Sequence, residues 1–149
     1  MATQISVRPV QMADLDRILE IERACFGRYA YDRKLFAEYT RACGDLFLVA
    51  EEGGRVNGYA ITRIWGSTRA ELVSIAVDPA ARRHGAAAAL MLKTLRRLRR
   101  LGLERLTLTV KVSNFPARAF YDKFGFRRVR RAPRYYEDGS DGLRFVKDL

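Results

Sequence analysis

Apolar residues along this chain change their period several times, and each change predicts an element. Residues 5–9 read as a short strand. Leu15, Ile18, Leu19, Ile21 and Glu22 then recur at three-to-four spacing, which predicts a helix ending near Gly27. A second helix is predicted over 32–42, with Leu35, Phe36 and Tyr39 on one side. The apolar run 46–50, the turn Glu52-Gly53-Gly54-Arg55 and the run 56–64 predict a hairpin. Gly66-Ser67-Thr68 marks a turn before a strand over 71–77. After Pro79 a loop leads into a helix over about 84–100, with Ala88, Leu92, Leu95 and Leu98 inward and Gly102 closing it. Residues 105–112 alternate, Leu106, Leu108, Val110 and Val112 against Thr107, Thr109 and Lys111. A short helix over 116–123 ends at Gly125, and the last strands fall near 127–129 and 143–147. The order is strand, two helices, three strands, helix, strand, helix, strands. It predicts a mixed α/β (α+β) domain on one central sheet.

Composition narrows this picture without redirecting it. The 149 residues are 48% hydrophobic and 30% charged, which fits one globular domain rather than a disordered or fibrous chain. No Pro/Gly/Ser linker, repeat or low-complexity tract suggests a boundary, so 1–149 is expected to be a single domain. Nothing approaches ~18 consecutive apolar residues, so no membrane span is expected. The first residues lack the basic-then-apolar order of a leader, and the expected address is cytoplasmic. Cys25 and Cys43 have no metal-ligand spacing, so neither a metal site nor a disulfide scaffold is expected. The net charge of +11 favours anionic partners but names none by itself.

The sharpest local signal runs from Val77 through Asp78-Pro79-Ala80-Ala81-Arg82-Arg83-His84-Gly85-Ala86-Ala87-Ala88. A strand passes into a loop, and small residues open a long helix. The first N–H groups of a helix lack partners and carry about half a positive charge. Gly85, Ala86 and Ala87 let a bulky anion approach those donors, with Arg82 and Arg83 adding charge beside them. This is the composition of a pyrophosphate cradle. Neither Gly-x-x-x-x-Gly-Lys-Ser/Thr nor Gly-x-Gly-x-x-Gly is present.

Arg82-x-x-Gly85-x-Ala87 after Ile75-Ala76-Val77-Asp78-Pro79 resembles the acyl-CoA signature of the GNAT superfamily of N-acetyltransferases. Asn114-x-x-Ala117-x-x-x-Tyr121-x-x-x-Gly125-Phe126 is similar to a second block of that superfamily, about thirty residues on. The tail Tyr135-Tyr136-x-x-Gly139-x-Asp141 resembles the ribosomal-protein-alanine N-acetyltransferases within it. The resemblance covers nearly the whole chain. It implies a GNAT-like sheet of six or seven strands with about four helices, acetyl-CoA as donor, and a protein N-terminal amine as acceptor. It assigns the cofactor site to Ile75, Ala76, Val77, Arg82, Arg83, His84, Gly85, Ala86, Ala87, Ala88 and Asn114. Backbone donors near Ile75 to Val77 would polarise the thioester oxygen.

Tyr121, at the family tyrosine, is the candidate general acid, because a phenol still holds its proton near pH 7. The resemblance departs at Thr109, where the ribosomal-protein enzymes carry a glutamate and a threonine hydroxyl cannot serve as base. Glu71 stands where histone-acetylating members of the superfamily place theirs. Period two sets it on the face of Val73, Ile75 and Val77, and an apolar setting there would raise its pKa. Tyr29, Tyr31, Tyr135 and Tyr136 are the candidate acceptor-binding residues implied by the family. The acceptor is expected to be a protein or peptide, a ribosomal one included, with a lysine or small amine as the alternative. A CoA-sensing or RNA-contacting module is the non-enzyme alternative. Lys93, Arg96, Arg97, Arg99 and Arg100, and Arg127, Arg128, Arg130, Arg131 and Arg134, lack interleaved base-stacking aromatics except near Tyr135. They are read as solvated faces, with nucleic-acid contact as the other reading.

Overall fold

The computed structural model describes residues 4–149 as two compact units, residues 4–63 with 72–101 and residues 64–71 with 102–149. The segment read for a leader begins in residues 1–3, outside the described residues. The elements are β1 (Ile5–Pro9), α1 (Leu15–Phe26), α2 (Arg33–Cys43), β2 (Phe47–Glu52), β3 (Arg55–Trp65), β4 (Arg69–Val77), α3 (Ala86–Arg100), β5 (Arg105–Lys111), α4 (Phe115–Lys123), β6 (Arg127–Ala132) and β7 (Gly142–Asp148). Strand order is β1-β2-β3-β4-β5-β7-β6. β4 pairs parallel with β5, whereas β1/β2, β2/β3, β5/β7 and β6/β7 are antiparallel. Seven strands and four helices make the expected GNAT-like mixed sheet.

In the first unit, α1 delivers Leu15, Ile18, Leu19 and Ile21 to a core shared with Phe36 of α2, Phe47 and Val49 of β2, and Tyr59 and Ile61 of β3. The Phe36 and Tyr59 rings meet edge-on at 5.6 Å. Each such aliphatic side chain contributes roughly 1.5–3 kcal/mol on burial. Helix α3 packs on β1 and β2. Gly58 lets β3 pack closely here: a Cβ would lie 3.0 Å from the Ala76 carbonyl oxygen and 3.3 Å from Leu90 Cδ1, tighter than an ordinary contact.

Two expectations about α3 are corrected. The helix begins at Ala86 rather than 84, because Gly85 sits at φ 92° and cannot continue the helical turn. Its buried stripe is Leu90, Met91, Thr94, Leu95 and Leu98, whereas Leu92 is exposed. Ala88 is half-buried. Leu95 and Leu98 are buried as expected; apolar rows overlap in this leucine-rich stretch, and spacing alone put Leu92 on the wrong face.

In the second unit, Leu106, Leu108 and Val110 turn inward from β5 as expected. Tyr121, Phe126 and Phe145 form an aromatic cluster with ring centroids 5.7–6.1 Å apart. β6 runs three residues beyond 129. Its arginines hid the strand period, and they line this end strand with charge, a feature that disfavours edge-to-edge pairing.

Candidate active site

The cradle loop is built entirely within the first unit. Gly85 caps α3 from the left-handed region, and no side chain caps the helix. A Cβ at Gly85 would meet nothing closer than Ile5 Cδ1 at 3.9 Å, so the φ value, not crowding, demands glycine. The first-turn N–H groups of Ala86, Ala87 and Ala88 therefore open past three small side chains. Arg82, Arg83 and His84 are exposed beside them, with Arg83 also at positive φ. His84 Nδ1 lies 3.1 Å from Glu52 Oε1, an ion pair whenever the ring is protonated.

Sequence reasoning missed the residue that pins this loop. Arg17 of α1 donates to the Val56 carbonyl (2.8 Å), to Asn57 Oδ1 (3.2 Å) and to Asp78 Oδ2 (2.5 Å). Asp78 in turn accepts from Ala80 N at 3.0 Å and so shapes the turn after β4. The Arg17 guanidinium holds the Asp78 carboxyl below the usual carboxylate range. Arg17 is 61 residues from Asp78, and nothing local in the chain announces the pair.

Ile75, Ala76 and Val77 end β4 in the same unit. The Val77 carbonyl accepts from Cys25 Sγ at 3.4 Å, and Arg82 Nη2 reaches that sulfur at 3.6 Å. Burial pushes the Cys25 thiol pKa up. One turn earlier, Glu22 is fully buried, although its place on the core side was read from spacing alone. Tyr59 Oη donates to Glu22 Oε1, and Tyr31 N donates to Oε2 at 2.8 Å. Desolvation raises the Glu22 pKa, opposed by those two hydrogen bonds. Glu22 thereby anchors the backbone of the 27–32 segment, which presents Tyr29 and Tyr31 partly exposed.

The second unit holds the other candidates. Glu71 sits at the start of β4 opposite Thr107 of β5. The apolar setting expected for it is not found. Arg144 of β7 brings Nη2 to 3.9 Å from Glu71 Oε2, and Trp65, Arg69, Glu71, Thr107 and Arg144 line a cleft of about 250 Å³. Tyr121 is buried in its aromatic cluster, and burial pushes its phenol pKa up, so the proton is held firmly. Asn114 caps α4 by accepting from Ala117 N at 3.2 Å. Tyr135 and Tyr136 stack edge-on at 4.9 Å in a turn braced by Asp141, which accepts from Arg131 Nε and from Arg134 N. Asp138 is bound by Lys111 at 2.8 Å. The acidic members of the tail motif thus shape the turn. The arginine clusters are partly engaged as well: Arg97 donates to the Asp45 carbonyl and Arg127 pairs with Asp148. Among the described residues no helix is long and apolar enough to cross a membrane.

The acetyltransferase (GNAT) family model matches residues 15–126, and the chain belongs to that family. It is 33% identical to the N-alpha-acetyltransferase of Sulfolobus acidocaldarius, over 96% of this chain and 92% of that protein. The crystal structure of Ard1 from Thermoplasma volcanium superposes with a TM-score of 0.94 at 27% identity, covering 100% of this chain and 99% of that one. The ribosomal-protein-S18-alanine N-acetyltransferase of Escherichia coli superposes at 0.85 with 26% identity, covering 98% and 94%.

Proposed function

We propose that the protein transfers acetyl from acetyl-CoA to the N-terminal α-amine of a protein or peptide, by direct attack, in the cytoplasm. The observation that carries the reading is the α3 N-terminus, left without a side-chain cap behind Gly85 and flanked by Arg82 and Arg83. Its free N–H groups suit a pyrophosphate. The relatives named for N-alpha and ribosomal-protein-alanine acetylation support the α-amine as acceptor, and a ribosomal protein is one candidate.

In this reading the N–H groups of Ala86, Ala87 and Ala88 grip the pyrophosphate, with His84 at the rim. Asn114 contacts the cofactor with its side-chain NH2 while its oxygen caps α4. Main-chain donors at Ile75, Ala76 and Val77 polarise the thioester oxygen. Glu71 takes the proton from the amine, the nitrogen attacks the carbonyl carbon, and the C–S bond breaks. Tyr121, whose buried phenol keeps its proton, returns one to the departing sulfur. Tyr29, Tyr31, Tyr135 and Tyr136 receive the acceptor chain.

Mass spectrometry after incubation with acetyl-CoA tests this on peptides starting with Ala, Ser or Met, an N-blocked lysine peptide and a polyamine. Acetyl is expected on the α-amine. Acetyl only on lysine or polyamine would overturn the assignment. In the same assay Glu71→Gln should lower turnover by about 10²–10⁴-fold with acetyl-CoA still bound. Tyr121→Phe should slow turnover with acetyl-CoA still bound. Unchanged rates at every pH would remove either residue from the chemistry.

A further inference from the structure

Arg144 stands directly opposite Thr109 in the antiparallel β5–β7 pair. Its guanidinium spans the β5 face. Nη1 donates to Thr109 Oγ1 at 3.4 Å, Nη2 to Thr107 Oγ1 at 3.3 Å, and Glu71 Oε2 lies 3.9 Å from Nη2. A guanidinium offers five donors in a planar fork and bonds best to a carboxylate through two short parallel contacts. Here it makes two long contacts to neutral hydroxyls and one distant contact to a carboxylate. Its strongest bonding mode stays available in the 250 Å³ cleft, where Arg69 supplies a second cation. The side chains of Arg144 and Glu71 are 27% and 17% exposed, so solvent screens the pair only in part.

We infer that Arg144 is a specificity residue which binds a carboxylate of the acceptor, selecting N-termini whose first residue is Asp or Glu. This deepens the transfer proposed above and rests on it. Glu71 and Arg144 place an acceptor for an amine a few ångströms from a donor to a carboxylate. An acidic first residue carries both groups at such a separation. Thr109 is part of the device. A glutamate at that position would neutralise Arg144, whereas the threonine hydroxyl orients it and leaves its charge for the substrate.

Initial rates with acetyl-CoA settle the matter on peptides beginning Asp, Glu, Asn, Ala or Ser, one with Asp second, and free aspartate. The wild-type protein should favour Asp- or Glu-first peptides over Asn- or Ala-first ones by roughly ten-fold in kcat/KM, a preference that fades as ionic strength rises. Arg144→Gln should erase that ratio, chiefly through KM on the acidic peptides, and Arg144→Glu should invert it. The wild-type ratio and its salt dependence need no variant, so misfolding of a substituted chain cannot hide the answer. Equal rates on acidic and neutral peptides, or a ratio unmoved in a folded Arg144→Gln, would overturn the inference and leave N-terminal transfer standing. Preference for free aspartate, or for Asp at the second position, would also overturn it. No α-amine transfer to any peptide would remove both.

Discussion

At the scale of single residues, buried charge does the positioning. Glu22 accepts from Tyr59 and Tyr31 in a setting where desolvation outweighs both hydrogen bonds, so the folded protein holds a proton there more readily than the unfolded chain. A group with a raised folded pKa contributes stability in full below its ordinary value of 4.5, and that contribution is lost as pH rises through the folded pKa. Glu22→Gln cannot ionise. In thermal unfolding scans the two proteins should behave alike near pH 4, and wild type should lose Tm relative to the variant as pH rises. At this chain length about 1 kcal/mol moves Tm by roughly 2–4 °C. A difference independent of pH would mean that the carboxylate is fully compensated. Arg17 acts by the opposite logic: its charge keeps Asp78 ionised, and the pair tethers the turn that feeds α3.

At the scale of elements, the α3 start is where local sequence and site coincide. Gly85 and the alanines behind it made this helix start and the cradle proposed for it legible, because conformational freedom and small size are properties that single residues carry. Period gave α1, α2 and β5 nearly to the residue for the same reason. It failed at Leu92, where overlapping apolar rows left the buried face to packing, and at β6, where arginines replace the alternation. Pairs joined across the fold were out of reach: Arg17 with Asp78, Glu22 with Tyr31 and Tyr59, and Arg144 with Thr109. Each depends on a register that no local window contains. Gly85→Val puts a β-branched residue at φ 92° and should cost about 1–3 kcal/mol of loop geometry. Affinity for CoA should then fall by roughly ten- to a hundred-fold in equilibrium titrations. Affinity equal to wild type would show that the left-handed turn does not shape the cradle.

For the molecule as a whole, strand β4 is the shared part: Arg69 to Glu71 belong to one unit and Leu72 to Val77 to the other. We propose that the chain unfolds as one domain on that account. Urea transitions followed by fluorescence of the single tryptophan, Trp65, and by far-ultraviolet dichroism should share one midpoint. Separate midpoints would mean two domains. The net charge of +11 adds a long-range pull on any polyphosphate ligand, while the contacts proposed to hold it belong to the α3 start. Isothermal titration calorimetry of the purified protein with acetyl-CoA is the most direct test of the account: one equivalent should bind saturably. The absence of heat and of saturable binding with both acetyl-CoA and CoA would contradict it.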